Sequence, residues 1–234
     1  MIKAVFFDWF NTLAHYHPPR EELERQALQE LGIRASPEKI RSVLLIADRD
    51  YLEENALSPV QKRTPEEQAK VYTRYQRTVL TEAGVNAPEE LLLKIMHRLQ
   101  QLYRGMNFVL FDDVLPTLKR LKEQKLTLGL ITNLNRDIGP ICHQLGVEPY
   151  LDFTVTSEEA GADKPQPPIF LLALERAGVN PSEAVHVGDQ YKLDVIGARG
   201  VGITPILIDR SDSYPEVNDC PRMRSLTELA GNLQ

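Results

Sequence analysis

Four polar clusters in this chain each lie just past an apolar stretch or in the segment after one. The first is Asp8, which follows Ala4-Val5-Phe6-Phe7. The second is Thr132-Asn133, after Leu128-Gly129-Leu130-Ile131. The third is Ala162-Asp163-Lys164-Pro165, downstream of Phe153-Thr154-Val155-Thr156. The fourth is Gly188-Asp189-Gln190-Tyr191-Lys192-Leu193-Asp194, directly after Ala184-Val185-His186-Val187. A carboxylate, a hydroxyl with an amide, an ammonium and an acid pair suit a phosphoryl group beside a divalent metal. Hard oxygen ligands hold Mg²⁺, which also bonds phosphate oxygens. Lys164 and Thr132 can offset charge on the equatorial oxygens of a transferring phosphoryl group.

These clusters meet only if the apolar stretches are neighbouring parallel strands. Apolar runs of this length, rich in β-branched and aromatic residues, read as strands buried on both faces. Helical patterns fall between them: Asp113 to Gln124, Asp137 to Leu145, Pro168 to Ala177 and Asp194 to Arg199. Thr204-Pro205-Ile206-Leu207-Ile208 reads as a last strand, before a short helix from Ser225. Repeated strand–helix units predict an α/β fold with a doubly wound parallel sheet. Ligands bind such sheets outside the carboxyl ends of the strands, where all four clusters fall.

The segment from about His15 to Gly105 has no convincing strand. Helical patterns run from Pro19 to Leu31, from Pro37 to about Asn55 behind the cap residue Ser36, from Thr64-Pro65-Glu66-Glu67 to Ala83, and from Pro88 to about Arg104. Proline and acids at the starts and glycine at several ends support these boundaries. The predicted division is an α/β core of roughly residues 1–14 and 106–234, with an inserted all-helical block of roughly 15–105.

Composition narrows the partners. The chain has 234 residues, 42% hydrophobic and 26% charged, with a formal net charge of −6. No basic stripe invites nucleic acid, and no apolar run approaches the ~20 residues of a membrane span. The start lacks the long apolar region of a signal peptide. Cys142 and Cys220 are far apart and lack metal-ligand spacing, so plain thiols and a cytoplasmic location are expected. Oligomeric state leaves no mark on the sequence.

Taken in order, the four clusters resemble the motifs of the haloacid dehalogenase superfamily across essentially the whole core. Asp8 and Thr12 match the Asp-x-Asp-x-Thr signature of its phosphatase members. Lys164-Pro165-x-Pro-x-Ile-Phe and His186-Val187-Gly188-Asp189…Asp194-Val195-Ile196-Gly197-Ala198 resemble the later motifs. The resemblance implies a Rossmann-like core and a helical cap that closes over the crevice, excludes water and sets substrate choice. It implies Asp8 as the nucleophile that forms an aspartyl-phosphate. Thr132 and Lys164 then hold the transferring group, and Asn133 and Thr12 bind substrate, the Thr12 hydroxyl also fixing the loop that carries Asp8. Mg²⁺ is implied on Asp8, Asp189 and the backbone carbonyl of Phe10, with Asp194 behind them orienting the metal's surroundings or Lys164.

The departure is Phe10, which stands where the phosphatases carry their second aspartate. Its carbonyl can still serve a metal, but its ring transfers no proton. Positioned acid–base groups typically contribute ~10²–10⁴-fold. One reading is a Mg²⁺-dependent phosphatase of a small phosphorylated molecule that works without that acid. It would favour leaving groups needing little protonation, or borrow a donor such as His15 or His17, which could equally be solvated linker residues. A second is a metal-free 2-haloacid dehalogenase. Those enzymes carry Tyr at the Phe10 position and another Tyr six residues after the lysine, where Phe170 stands here. They have serine at the Asp189 position. A third is a catalytically weak binding protein that keeps the fold.

Other signals are weaker. Gly197-Ala198-Arg199-Gly200-Val201-Gly202 lacks the strand–turn–helix setting of a dinucleotide site and reads as a helix end with a turn. Tyr72, Arg74, Tyr75 and Arg77 read as a packing or solvated helix face, or as a substrate-selecting one. Trp9 is either a core anchor or a pocket wall.

Overall fold

The apolar run before Asp8 forms β1 (Ala4–Phe7), buried at all four residues. The computed structural model describes residues 1–134 and 137–232, with all their side chains except those at 52, 53, 56, 57, 61 and 230–232. The chain divides into two units, Met1–His15 with Phe108–Gln234, and Tyr16–Asn107.

After β1 come β2 (Ala14–His17) and four long helices: α1 (Arg20–Glu30), α2 (Pro37–Leu57), α3 (Pro65–Glu82) and α4 (Glu89–Tyr103). Ser36 caps α2 by accepting from the Lys39 N–H at 3.2 Å. Thr64 and Glu67 close a capping box on α3, which satisfies two otherwise orphaned donors. The helices bury Leu28, Ile40, Val43, Val79, Leu80, Leu92, Ile95 and Leu99 among themselves.

A polar cluster sits inside this helical unit. The Glu24 carboxylate is fully buried and accepts from Gln76 Nε2 and from the Tyr103 hydroxyl, each at 3.0 Å. Arg20 bonds both oxygens of Asp48, and the Tyr75 hydroxyl donates to Asp48 at 2.7 Å. Tyr75 is thus tied to Arg20 and Asp48, Tyr72 stacks on Tyr51, Arg74 pairs with Glu54, and Arg77 pairs with Glu89. Tyr75 is half-buried, whereas Tyr72, Arg74 and Arg77 are exposed, so most of this face is solvated.

The chain returns through β3 (Asn107–Leu110), which pairs with β2 in a two-stranded sheet. Then follow α5 (Val114–Glu123), β4 (Thr127–Thr132), α6 (Gly139–Gln144), β5 (Phe153–Thr156), α7 (Ser157–Ala160), α8 (Pro167–Ala177), β6 (Ala184–Gly188), a π-helical turn at Tyr191–Val195, α9 (Ile196–Gly200), β7 (Thr204–Ile208) and β8 (Arg222–Met223). The main sheet has the order β5-β4-β1-β6-β7-β8, with every pairing parallel. This is the doubly wound α/β architecture that the alternation predicts.

Side-chain alternation builds a core on each face. Val5, Phe7, Leu128, Leu130, Val185 and Val187 pack with Leu118 and Leu121 of α5. Ala4, Phe6, Ile131, Val155 and Ala184 face the other way, onto Ile169, Phe170 and Ala173 of α8. Trp9 is fully buried in the first of these cores, its ring edge-on to Phe108 at 5.6 Å, which makes it a core anchor.

Three short strands differ from the sequence reading. β2 and β3 sit where only helix and loop were expected, and β8 where nothing was. Ala14-His15-Tyr16-His17 and Asn107-Phe108-Val109-Leu110 lack alternation or length enough to signal a strand, and pairing with each other makes them one. The last helix is a 3₁₀ segment, Leu226–Asn232.

Candidate active site

With all strands parallel, their carboxyl ends share one edge. Phe7 pairs with Leu130 on one side and Val187 on the other, and the ladder continues with Asp8 N–H donating to the Val187 carbonyl at 2.9 Å. Asp8 therefore leaves the sheet next to Gly188-Asp189 and to the end of β4. Carboxylate oxygens of Asp8, Asp189 and Asp194 all lie within 4.8 Å of one another.

Lys164 joins them. Its Nζ lies 2.5 Å from Asp8 Oδ1 and 2.7 Å from Asp194 Oδ1, with a side chain only 3% exposed. Burial alone would depress this ammonium's pKa, but the charges of Asp194 and Asp8 hold it above its ordinary value. Lys164 is a fixed cation.

Asn133 fixes the Lys164 loop. The Lys164 N–H donates to Asn133 Oδ1 at 2.7 Å, and Asn133 Nδ2 donates to the Lys164 carbonyl at 3.2 Å. Each polar atom of the side chain expected on substrate thus holds the Lys164 main chain, leaving one Nδ2–H over. Asn133 acts here as a clamp on the Lys164 main chain. Thr132 ends β4 almost fully buried, its hydroxyl accepting from the Leu134 N–H at 3.3 Å.

The π-helical turn returns Asp194 beneath the site. Asp194 Oδ1 takes both Lys164 and His186 Nε2, the latter at 2.9 Å, and Oδ2 accepts from the Gln190 N–H at 3.0 Å. Burial raises this carboxyl's pKa, but the Lys164 charge and the His186 hydrogen bond overcome it and pull the pKa below the usual range. Both of its oxygens thus carry hydrogen bonds, one of them from Lys164. The predicted helix begins at Asp194, whereas the chain coils from Tyr191. Such π turns are frequent at functional sites.

Asp8 and Asp189 are different. Asp8 Oδ2 and Asp189 Oδ1 are buried with no hydrogen-bond partner among the described residues. Burial pushes the Asp8 carboxyl up, opposed by Lys164 and reinforced by the Asp194 charge. Burial raises Asp189 still further, helped by the negative charges of Asp8 and Asp194. Two carboxyl groups within 4.8 Å of one another, each with a buried, unpartnered oxygen, fit a hard divalent cation such as Mg²⁺, whose charge would favour their ionised form.

Thr12 departs from expectation. Its hydroxyl is fully buried and bonds to nothing among the described residues, so it does not fix the Asp8 loop. The loop is held through its main chain: Arg210 donates to the Thr12 carbonyl at 2.9 Å while gripping both oxygens of Asp113. Arg210 also lies over the Phe111 ring, 3.8 Å from its centroid. The Phe10 ring packs edge-on to Phe108 at 6.4 Å. His15 packs against Phe111, with ring centroids 4.6 Å apart.

Sequence reasoning assigned no role to His186 or Arg210. A histidine inside the apolar strand Ala184-Val185-His186-Val187 is the one visible signal for the first. Nothing local marks the second, whose partners lie 97 and 198 residues away.

A parallel sheet whose carboxyl edge gathers an acid cluster around a buried lysine is the arrangement that the haloacid dehalogenase resemblance implies. The family description "haloacid dehalogenase-like hydrolase" matches residues 2–202, and the chain belongs to that family. It is 32% identical over 238 residues to the zebrafish (Danio rerio) haloacid dehalogenase-like hydrolase domain-containing protein 3, covering all of this chain and 97% of the relative. It is 30% identical over 226 residues to the ribulose-1,5-bisphosphate 5-phosphatase of Halopiger xanaduensis, covering 95% and 91%. Among solved structures, a 2-haloacid dehalogenase from Pseudomonas syringae is 28% identical with a TM-score of 0.58, covering 100% and 98%.

Proposed function

We propose that the protein is a phosphatase of a small phosphorylated molecule, working through Asp8 with Mg²⁺ bound beside it. The observation that carries this reading is the pair of buried, unpartnered oxygens on Asp8 and Asp189. The likeness to a protein named as a phosphatase over nearly its whole length supports it.

Asp8 attacks phosphorus, and the bond from phosphorus to the leaving oxygen breaks with its electron pair going to that oxygen. Water then cleaves the aspartyl-phosphate, releasing inorganic phosphate and restoring the carboxylate. Lys164 faces the charge on the transferring oxygens, and Thr132 adds a hydroxyl. Asp8, Asp189 and the Phe10 carbonyl would hold Mg²⁺, which would screen the attacking carboxylate from the phosphate's negative charge. With phenylalanine at position 10, the leaving oxygen receives no proton from that residue. Substrates with good leaving groups, such as acyl phosphates, are favoured. The inserted helical unit is read as the cap that selects among them.

Phosphate release from a panel of sugar, acyl and aryl phosphates, with and without Mg²⁺, tests the reading. Asp8→Asn should abolish metal-dependent turnover; full activity in that variant refutes Asp8 as nucleophile.

Phe10 favours a second reading, carbon–halogen cleavage, because halide leaves without a proton. The likeness to the Pseudomonas syringae enzyme is in its favour. Asp189 weighs against it, since Asp8, Asp189 and Asp194 put three carboxylates beside the single ammonium of Lys164, a setting that repels a carboxylate substrate. Metal-independent chloride release from 2-chloropropionate would establish it.

A further inference from the structure

His186 is the buried ionisable side chain beside the acid cluster that this chemistry leaves without a role. It sits in mid-β6 with no exposed surface, between Val185 and Val187. A strand covered on both faces ordinarily carries apolar side chains at such positions. Its Nε2 lies 2.9 Å from Asp194 Oδ1, the same oxygen that receives Lys164 Nζ at 2.7 Å. Lys164 Nζ is in turn 2.5 Å from Asp8 Oδ1. His186, Asp194, Lys164 and Asp8 form one continuous buried line.

Packing sets the ring. Phe170 stands edge-on to the imidazole, with centroids 5.3 Å apart and planes at 85°. Phe170 is itself confined, because a Cβ on Gly197 would fall 2.6 Å from its ring. A carboxylate oxygen only accepts, so Nε2 must carry the proton. Nδ1 has no partner among the described residues, and a second, unpaired N–H there would add desolvation cost.

We propose that His186 is a positioning residue: through Nε2–H it fixes Asp194 Oδ1, and so sets where the Lys164 ammonium stands beside Asp8. Without that bond Oδ1 keeps Lys164 alone while Oδ2 keeps the Gln190 N–H, and the ammonium loses the second donor that fixes its place between Asp194 and Asp8. The catalytic consequence rests on the phosphatase reading of Asp8 and Lys164; the ring geometry does not.

Two measurements test it on the intact protein. Nitrogen-15 NMR of the imidazole should show Nε2 protonated and Nδ1 bare. A proton on Nδ1 with Nε2 bare overturns the proposal whether or not the protein is a phosphatase. In phosphate-release kinetics, His186→Leu should lower kcat by about 10–100-fold, the usual effect of removing the partner that orients a site group, with KM nearly unchanged. His186→Gln, which keeps an N–H donor, should recover most of that loss. In an Asp194→Asn background His186→Leu should cost nothing more. An equal cost in both backgrounds, or a Gln variant as slow as Leu with an unchanged melting temperature, overturns the proposal. If His186→Leu does not fold, the Gln variant and the tautomer decide it. Absence of phosphatase turnover in the wild type would refute the function above and leave the tautomer to judge the His186–Asp194 bond.

Discussion

A Cβ on Gly188 would fall 2.1 Å from Cγ of Asp194. The strand end passes the acid with no room for a methyl group. Gly188→Ala must therefore displace Asp194, and with it the bond that shares Lys164 between two carboxylates. Overpacking of this kind costs ~1–3 kcal/mol of stability, and loss of the orienting contact about 10–100-fold in kcat. Initial rates and a thermal melt on the same sample test this. A variant that melts as the wild type does and keeps full kcat contradicts the claim that Asp194 must sit there.

The reciprocal bonds between Asn133 and the Lys164 main chain make a different prediction. Asn133→Ala leaves every charge in place but frees the loop that carries the ammonium. Lost turnover should then come without lost affinity for the metal, because Asp8 and Asp189 are untouched. Calorimetric titration with Mg²⁺ beside steady-state kinetics separates the two. An Asn133→Ala protein with weakened Mg²⁺ binding and normal kcat would return Asn133 to the ligand site.

The strands that build this edge were legible because each is a buried apolar run, and a residue type at each run's end names its chemistry. Asp8, Lys164, Asp189 and Asp194 were readable from that placement and do converge. What stayed hidden depends on distance in the chain. Asn133 looks like a substrate-binding amide alone, and its hold on the Lys164 loop, 31 residues on, shows only in three dimensions. Thr12 looks like a loop clamp until Arg210, 198 residues away, is found holding its carbonyl. The short strands β2 and β3 owe their form to each other, so neither segment announces it alone.

Phe10 is the residue on which the chemistry turns. Phe10→Asp places a carboxyl two residues after the nucleophile without removing the carbonyl proposed for the metal. A general acid of this kind typically contributes ~10²–10⁴-fold. The gain should be largest for alkyl phosphates, whose leaving groups most need a proton, and smallest for acyl phosphates. Rates of the two substrate classes, taken on wild type and variant, give the answer. A folded Phe10→Asp protein with no gain on alkyl phosphates refutes the idea that this phosphatase lacks only its acid.

The buried Glu24 in the helical unit makes stability depend on pH. Burial raises its carboxyl pKa, and the bonds from Gln76 and Tyr103 and the charge of Arg20 only partly oppose this. The folded protein therefore holds that proton more tightly than the unfolded chain does. By linkage its contribution is most favourable at low pH. It declines as pH rises above the ordinary value of 4.5 and levels off past the raised folded pKa. Glu24→Gln removes this titration while keeping an amide that can accept from Tyr103 and donate to a flipped Gln76. The melting temperature of wild type minus that of the variant should fall as pH rises from about 4.5 to about 8, in the direction the linkage relation requires. A difference that stays flat, or rises, across that range would show that Glu24 is charged in the folded state at no cost.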